Sequence, residues 1–433
     1  MNRRMMLRSC IAGAATFGSL IGCSESPLEP VGDGVADDSG ALQALLDAAR
    51  PGSTVRIPSP RHFYRIRHAL LLQVDDVTVI GENVELRQTG IFQPAFLVVA
   101  NGVTVTGFNL VGLRADRREE TEAAIRCIGS PFAYLRNIRL SQNEISNWSH
   151  GIRPQYCAGL QIDKNALHDL FYAGILLESC EDGEIQGNVV QRIHGAPTAY
   201  GIAVSRFFGT LEQHPTPKRI RIHDNVVNDV PHWEAFDAHS GEDIEFFDNE
   251  ASRVRLGIQM TFTDNFPPKR CRAYRNRIRS SGITPQTSAE IVGVPGAPAE
   301  DCSIEQNYFE RFGTQGSVHG ASVRVQNADR VVISRNVIVD SLQSAIAVFG
   351  TTRELRIDAN EIVGLDYSAG SFIGGITIPS GTVTGSIRNN RITVGAAPGI
   401  RAYVPQAVVV ANNLIETSGP AYYPTIDYFE AES

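Results

Sequence analysis

A chain of 433 residues with 42% hydrophobic and 20% charged side chains has ample material for a large core, which excludes wholesale disorder. Its formal net charge of −8 excludes a general nucleic-acid binder, because such proteins need a basic surface. An anionic polymer stays acceptable as a partner only through a local basic track.

The chain opens with MNRRMMLRSCIAGAATFGSLIGC, a basic region followed by a short apolar stretch and a small-residue ending. The apolar stretch is too short to span a bilayer, so residues 1–22 read as an export signal. Its ending, Leu20-Ile21-Gly22-Cys23, resembles the lipobox of bacterial lipoproteins. That resemblance implies cleavage before Cys23, acylation of its sulfur and a lipid anchor in a membrane; an ordinary signal peptide with a chance cysteine is the alternative. Ser24 resembles outer-membrane sorting, and Arg3-Arg4-Met5-Met6-Leu7 resembles a twin-arginine signal. Loss of Arg3, Arg4 and Arg8 with the signal takes the net charge from −8 to −11. Residues 23–31 follow as a short tether.

The next stretch, VGDGVADDSGALQALLDAARPGSTVRIP, reads as a turn, a helix beginning at Asp38 or Ser39, a Pro51-Gly52 stop and a first strand. Beyond it the chain repeats. Gly-Ile-x-hydrophobic segments stand at residues 151, 174, 201, 257, 375 and 399, with relatives at 235, 322 and 345 and a weaker one, EIVGV, at 290. A second series, mostly about fourteen residues later, begins with asparagine: Asn143, Asn165, Asn188, Asn225, Asn249, Asn276, Asn307, Asn336, Asn360, Asn390 and Asn413. Two short strands per period with asparagine at a fixed corner predict an all-β parallel β-helix, one domain over residues 32–433, with the short helix covering its first coil. Asparagine suits such a corner because it tolerates left-handed backbone angles and can bond to its counterpart one coil away. The tail after residue 418 either covers the last coil or is loose. GDG-x-x-DD-S-x-ALQ at residues 32–43 resembles the opening of the pectate-lyase-like superfamily, which implies a right-handed helix.

Residues two apart in a strand share a face. The isoleucine positions (Ile152, Ile175, Ile202, Phe236, Ile258, Val323, Ile346, Ile376, Ile400) and those two further on (Leu177, Val204, Ala238, Met260, Val325) are expected in the core. The alternate positions then face outward as a shallow polar stripe: Arg126/Ile128, Arg153/Gln155, Leu176/Glu178, Ala203/Ser205, Asp237/His239, Gln259/Thr261, Val292/Val294 and Arg324/Gln326. At roughly 4.8 Å per coil, arginines lie roughly 14 Å from Asp237 in each direction, a spacing that suits a polymer. Three loop insertions, at residues 192–200, 206–218 and 261–269, converge on the Asp237 coil, and loops carry function more often than scaffold does. Tyr200 and Glu234 are expected as neighbours at the groove edge, Arg255 one coil from Trp233, and Arg206 beside Asp237.

An Asp-x-His pair on one strand face can orient an imidazole for proton transfer. Abstraction of the C5 proton of a uronic acid would use His239 as base with Asp237, Arg206 or Arg255 to neutralise the sugar carboxylate, and Tyr200 or Glu234 as acid. Glu234-Ala-Phe-Asp237-Ala-His239-Ser resembles the Tyr-Gly-Phe-Asp-Pro-His-Glu segment of mannuronan C5-epimerases, which implies catalytic roles for Asp237 and His239; Glu234 and Ala238 depart from that pattern. The competing enzymatic reading is a glycoside hydrolase using two carboxylates from Glu178, Glu234, Asp237 and Glu242. The non-catalytic alternative is a polysaccharide-binding surface protein. Glu178, His232, Trp233, Gln259 and Arg153 are the substrate-binding candidates, with Trp233 either a sugar platform or a loop anchor. Glu242 and Glu245 read as solvated.

Cys157 and Cys180 occupy one register position on adjacent coils, as do Cys271 and Cys302, so each pair either forms a disulfide or stacks as buried thiols. Cys127 reads as core. No cysteine–histidine spacing suggests zinc. No cofactor is required, although calcium could be held by Asp237, Glu234 or Asp243.

Overall fold

The computed structural model describes residues 29–113, 123–280, 285–314, 317, 320–365, 374–395, 397–404, 407–417 and 426–430. The expected export signal, residues 1–22, and the expected acylation site, Cys23, lie outside the described residues.

The helix spans Ser39–Asp47, with Asp38 at its N-cap position. Asp38 does not cap the helix; its carboxylate turns back to accept the Val31 N–H at 2.6 Å, fixing the chain's approach. Leu42 and Leu46 plug the end of the core. Gln43 presents its amide to the first coil as a missing strand would: Nε2 donates to the Leu71 carbonyl and Oε1 accepts the Leu71 N–H. The open end of the solenoid is therefore paired rather than exposed.

From Thr54 onward every strand belongs to one parallel sheet wound on itself. A coil carries three strands where the repeat predicts two, for example His150–Gln155, Cys157–Asp163 and Ala166–Leu170. The middle strand escapes the sequence pattern because only one or two residues, the first of them left-handed, as at Tyr156 and Ser179, separate it from the strand before. Each coil pairs in register with the next: Ile152 with Ile175, Ile175 with Ile202, Ile202 with Phe236 and Phe236 with Ile258. These residues, and Leu177, Val204, Ala238, Met260 and Val325, are fully buried as expected. In the tail, Ile426–Glu430 adds a strand to Ile400–Val404.

All eleven asparagines of the series stack in one ladder, buried from Asn143 to Asn390 and half-buried at its last rung, Asn413. Each Nδ2 donates to the next Oδ1 at 2.9–3.1 Å, and each Oδ1 also accepts the preceding asparagine's backbone N–H. The left-handed residue is the one before each asparagine, among them Lys164, Asp224, Asp248 and Arg275, so the corner's strain and its side-chain ladder fall on separate residues. Forks between coils fasten left-handed positions, both before the asparagines, as Arg275 to Asp248, and elsewhere, as Arg192 to Asp169, Arg219 to Asp182, Arg270 to Asp243 and Arg330 to Asp301.

The cysteine pairs stack as the register requires and are free thiols. Cys157 Sγ donates to the Gln155 carbonyl at 3.3 Å and Cys271 Sγ to the Gly241 carbonyl at 3.2 Å, so backbone acceptors satisfy them without a disulfide. Cys127 is core, as expected.

Candidate active site

Five adjacent strands build the site: His150–Gln155, Ala173–Glu178, Tyr200–Ser205, Val226–His239 and Glu250–Thr261. Register places Tyr200 beside Glu234, Ala203 beside Asp237 and Asp237 beside Gln259. Phe236 and Ala238 fill the core, so Asp237 and His239 project from the opposite face. That face is not a shallow stripe. Loops 206–217 and 262–268 rise over it, and Asp237 has no exposure at all while His239 keeps 23% of its side chain open.

The space beneath the loops is a partly open cavity of about 380 Å³. Leu176 and Ala203 form its floor, Tyr172 and Tyr200 one side, Phe207, Phe208 and Phe262 the loop side, and Asp237 and His239 its reactive edge. The floor is a small apolar cluster outside the main core, where Ala173, Leu176 and Ala203 pack against both tyrosines.

His239 Nδ1 lies 2.6 Å from Asp237 Oδ2. The contact is close but poorly directed, and both Asp237 oxygens, Glu234 Oε2 and Gln259 Nε2 are buried without a well-aligned hydrogen bond. Burial pushes the Asp237 carboxyl up, against the opposing pull of His239. Burial, then the charges of Asp237 and Glu290, push Glu234 well above the usual carboxylate range; only the nearby Trp233 indole, which does not reach bonding geometry, works the other way. For His239 burial disfavours the charged ring, but the Asp237 carboxylate, helped by Glu290, outweighs it and holds the imidazole above its ordinary 6.5. Burial, then the charges of Glu234 and Asp237, drive the Tyr200 phenol far above its ordinary 10. The Tyr200 ring stands edge-on to His239 with centroids 6.5 Å apart.

The other expected site residues divide. Glu178 lines the cavity, but Arg153 grips it at 2.8 and 3.1 Å and Gln155 donates to it at 2.6 Å, so it is a neutralised pair rather than a free carboxylate. Arg206 is not a free cation beside Asp237. Its guanidinium is fully buried, donating to the carbonyls of His214 and Gly209 and meeting Asp264 at 3.4 Å, and it stacks on Phe266. It ties the two roofing loops together. Arg255, His232 and Trp233 lie off the cavity wall: Arg255 donates to the His232 carbonyl and lies 5.7 Å from the Trp233 ring, so Trp233 packs by Arg255 rather than forming a sugar platform in the cavity. Glu242 is paired with Arg270, and Glu245 lies 3.7 Å from Arg221.

Two participants escaped the sequence reading. Glu290, not Val292, stacks on Gln259, and it pairs with Arg324 at 2.7 Å. The signal was present: Ser288-Ala289-Glu290-Ile291 aligns with Gly257-Ile258-Gln259-Met260 once serine is allowed in the glycine slot. Tyr172 follows no repeat position; it precedes its strand and packs against His150 and Tyr200 at 5.0 and 5.4 Å.

Glu234, Asp237 and His239 offer ligand atoms within 4.8 Å of one another. Two carboxylates and an imidazole suit a borderline divalent ion better than calcium, which takes six to eight oxygens. Asp243 cannot join them, because it is held by Arg270 on another face.

No protein-family model and no curated protein matches this chain. Solved structures share its fold at low identity. A mutant tailspike protein of E. coli bacteriophage HK620, in complex with a pentasaccharide, superposes with a TM-score of 0.63 at 10% identity, covering 92% of this chain and 76% of its own. The DFA-IIIase of Arthrobacter chlorophenolicus A6, in complex with GF2, gives 0.56 at 11%, covering 79% and 97%. A hyperthermoactive exopolygalacturonase of Thermotoga maritima gives 0.56 at 10%, covering 75% and 89%. At such identities the likeness establishes the parallel β-helix fold and nothing finer.

Proposed function

We propose that this protein is a carbohydrate-active enzyme that binds an acidic polysaccharide over the Asp237 cavity and removes a proton from C5 of a uronate, as a lyase or epimerase does. One observation carries the reading: Asp237 occupies Nδ1 of His239, which leaves Nε2 as the nitrogen available to a ligand in a cavity that the Tyr200 phenol also lines. His239 Nε2 takes the C5 proton. For elimination the Tyr200 hydroxyl then protonates the leaving O4 as the C4–O4 bond breaks and C4=C5 forms. For epimerisation it delivers a proton to the opposite face of C5. Arg206 and Arg255 are engaged elsewhere, so neither is left to neutralise the sugar carboxylate.

Hydrolysis by paired carboxylates is less well supported. Glu234 is absent from the cavity wall, Glu178 is neutralised by Arg153, and Asp264 is taken by Arg206 and the Gly209 N–H at 2.7 Å. The aromatic and apolar floor also suits the C–H face of a sugar ring. Export with a lipid on Cys23 belongs to the same proposal, and the mass of the mature N-terminus tests it.

The deciding experiment is a panel of polysaccharides followed by the ultraviolet absorbance of unsaturated uronates and, in parallel, by reducing ends. New absorbance that falls by a factor of about 10²–10⁴ in His239→Ala supports the proposal. Reducing ends without absorbance would make the protein a hydrolase, solvent deuterium entering C5 without cleavage would make it an epimerase, and retention on polysaccharide with none of these would make it a binding protein.

A further inference from the structure

The sheet row that carries Asp237 is closed on its C-terminal side. Its next outward positions are Gln259, Glu290, Arg324, Ala347 and Thr377, in unbroken register. Gln259, Glu290, Ala347 and Thr377 face away from the core, yet each is 8% exposed or less, and Arg324 between them is paired with Glu290 and keeps 24% of its side chain open. A polymer seated at His239 therefore cannot continue along that row.

An open route leads around the corner instead. Beyond the roofing loops lies a second cavity of about 610 Å³, and beside it a third of about 290 Å³. The first and second share walls. Loop 206–217 gives Phe207 and Phe208 to one and Leu211 and Thr216 to the other, and loop 262–268 gives Phe262 to one and Phe266 and Pro267 to the other. The second and third share Gly296 and Pro298. From the Asp237 coil to that of Arg353 is four coil steps, roughly 19 Å at about 4.8 Å each.

We infer that the second and third cavities are distal subsites for the same acidic polysaccharide, which leaves the sheet row at Asp237 and crosses the corner obliquely. The inference rests on the function proposed above. Lys269 and Arg353 are the cations placed to read the chain. Lys269 lies 3.6 Å from Glu300 and is 44% exposed, and Arg353 lies 3.7 Å from Asp329 and is 63% exposed. Long, exposed pairs of this kind contribute little and exchange readily for a ligand carboxylate. Arg270, forked onto Asp243 in the same region, stays fixed. Leu211, Phe266, Pro267 and Pro298 give the same track apolar surface for sugar C–H faces.

Chain length is the test. Oligogalacturonates and alginate-derived oligouronates, as dimers, tetramers and octamers, are titrated calorimetrically against the full chain and against two variants. Ala297→Trp obstructs the turn between the second and third cavities, and Lys269→Glu reverses a charge. The expected result is an octamer that binds the wild type at least tenfold more tightly than the dimer, an advantage of about 1.4 kcal/mol that both variants abolish while leaving dimer affinity unchanged. An octamer advantage that survives in the correctly folded variants, or no advantage in a wild type that binds dimers, would overturn the track while leaving the proposed function standing. A wild type that binds none of the probes would remove the proposed function and the track together.

Discussion

Two corners of the same coils obey opposite rules. At the asparagine corner every buried amide is saturated: Asn249 Nδ2 donates to the Ile222 carbonyl and to Asn276, while its Oδ1 accepts from the Asn225 backbone and side chain. Across the coil, the face that holds Trp233, Glu234, Asp237 and Gln259 buries polar atoms with no well-aligned partner. A buried polar network that is fully satisfied rigidifies, and one left incomplete costs stability unless it serves function. The ladder thus supplies the rigidity against which the unsatisfied site is held.

The contrast can be broken from either side. Asn249→Ala should be the most damaging single change, because it removes four hydrogen bonds and leaves the Asn225 N–H and the Ile222 carbonyl buried and unpaired. Denaturant titration should show a loss of about 3 kcal/mol. The site should respond in the opposite sense. Glu234 has a raised folded pKa, so folding takes up a proton there; that stability is complete below about 4.5 and is lost as pH rises through the folded value. Glu234→Gln keeps a neutral group at all pH and gives Asp237 a donor, so it should raise Tm at neutral and alkaline pH and flatten the pH dependence. A lower Tm would show that the Glu234 charge is structurally required. The smallest effect is expected at Arg206, which acts through loops rather than on substrate. Arg206→Ala should raise KM several-fold with little change in kcat, and an equal fall in kcat would place Arg206 in the chemistry instead.

Much of this was legible because it repeats. Eleven asparagines and the Gly-Ile strands fix the coil register from Ile152 to Gln259 with no help from structure. The register reading slips at Glu290, where Ser288 takes the glycine slot after a loop that interrupts the period. Burial of the site was not legible, because the covering loops belong to no repeat. The fate of Arg206 was hidden for the same reason: two of its acceptors are backbone carbonyls of its own loop, and its carboxylate partner Asp264 lies 58 residues away. For the adjacent thiols spacing left disulfide and buried stack both open, because it reports proximity and not whether a backbone carbonyl already satisfies each sulfur.

The central claim is that Asp237 tunes His239 as the base of the cavity, and the pH dependence of kcat/KM tests it most directly. Because Asp237 holds the imidazole above its ordinary 6.5, wild-type activity should rise with pH along a limb set by a pKa above that value. In Asp237→Asn the limb should move to lower pH while the maximal rate falls. A limb at the same pH in both proteins, or an undiminished rate in Asp237→Asn, would contradict the account.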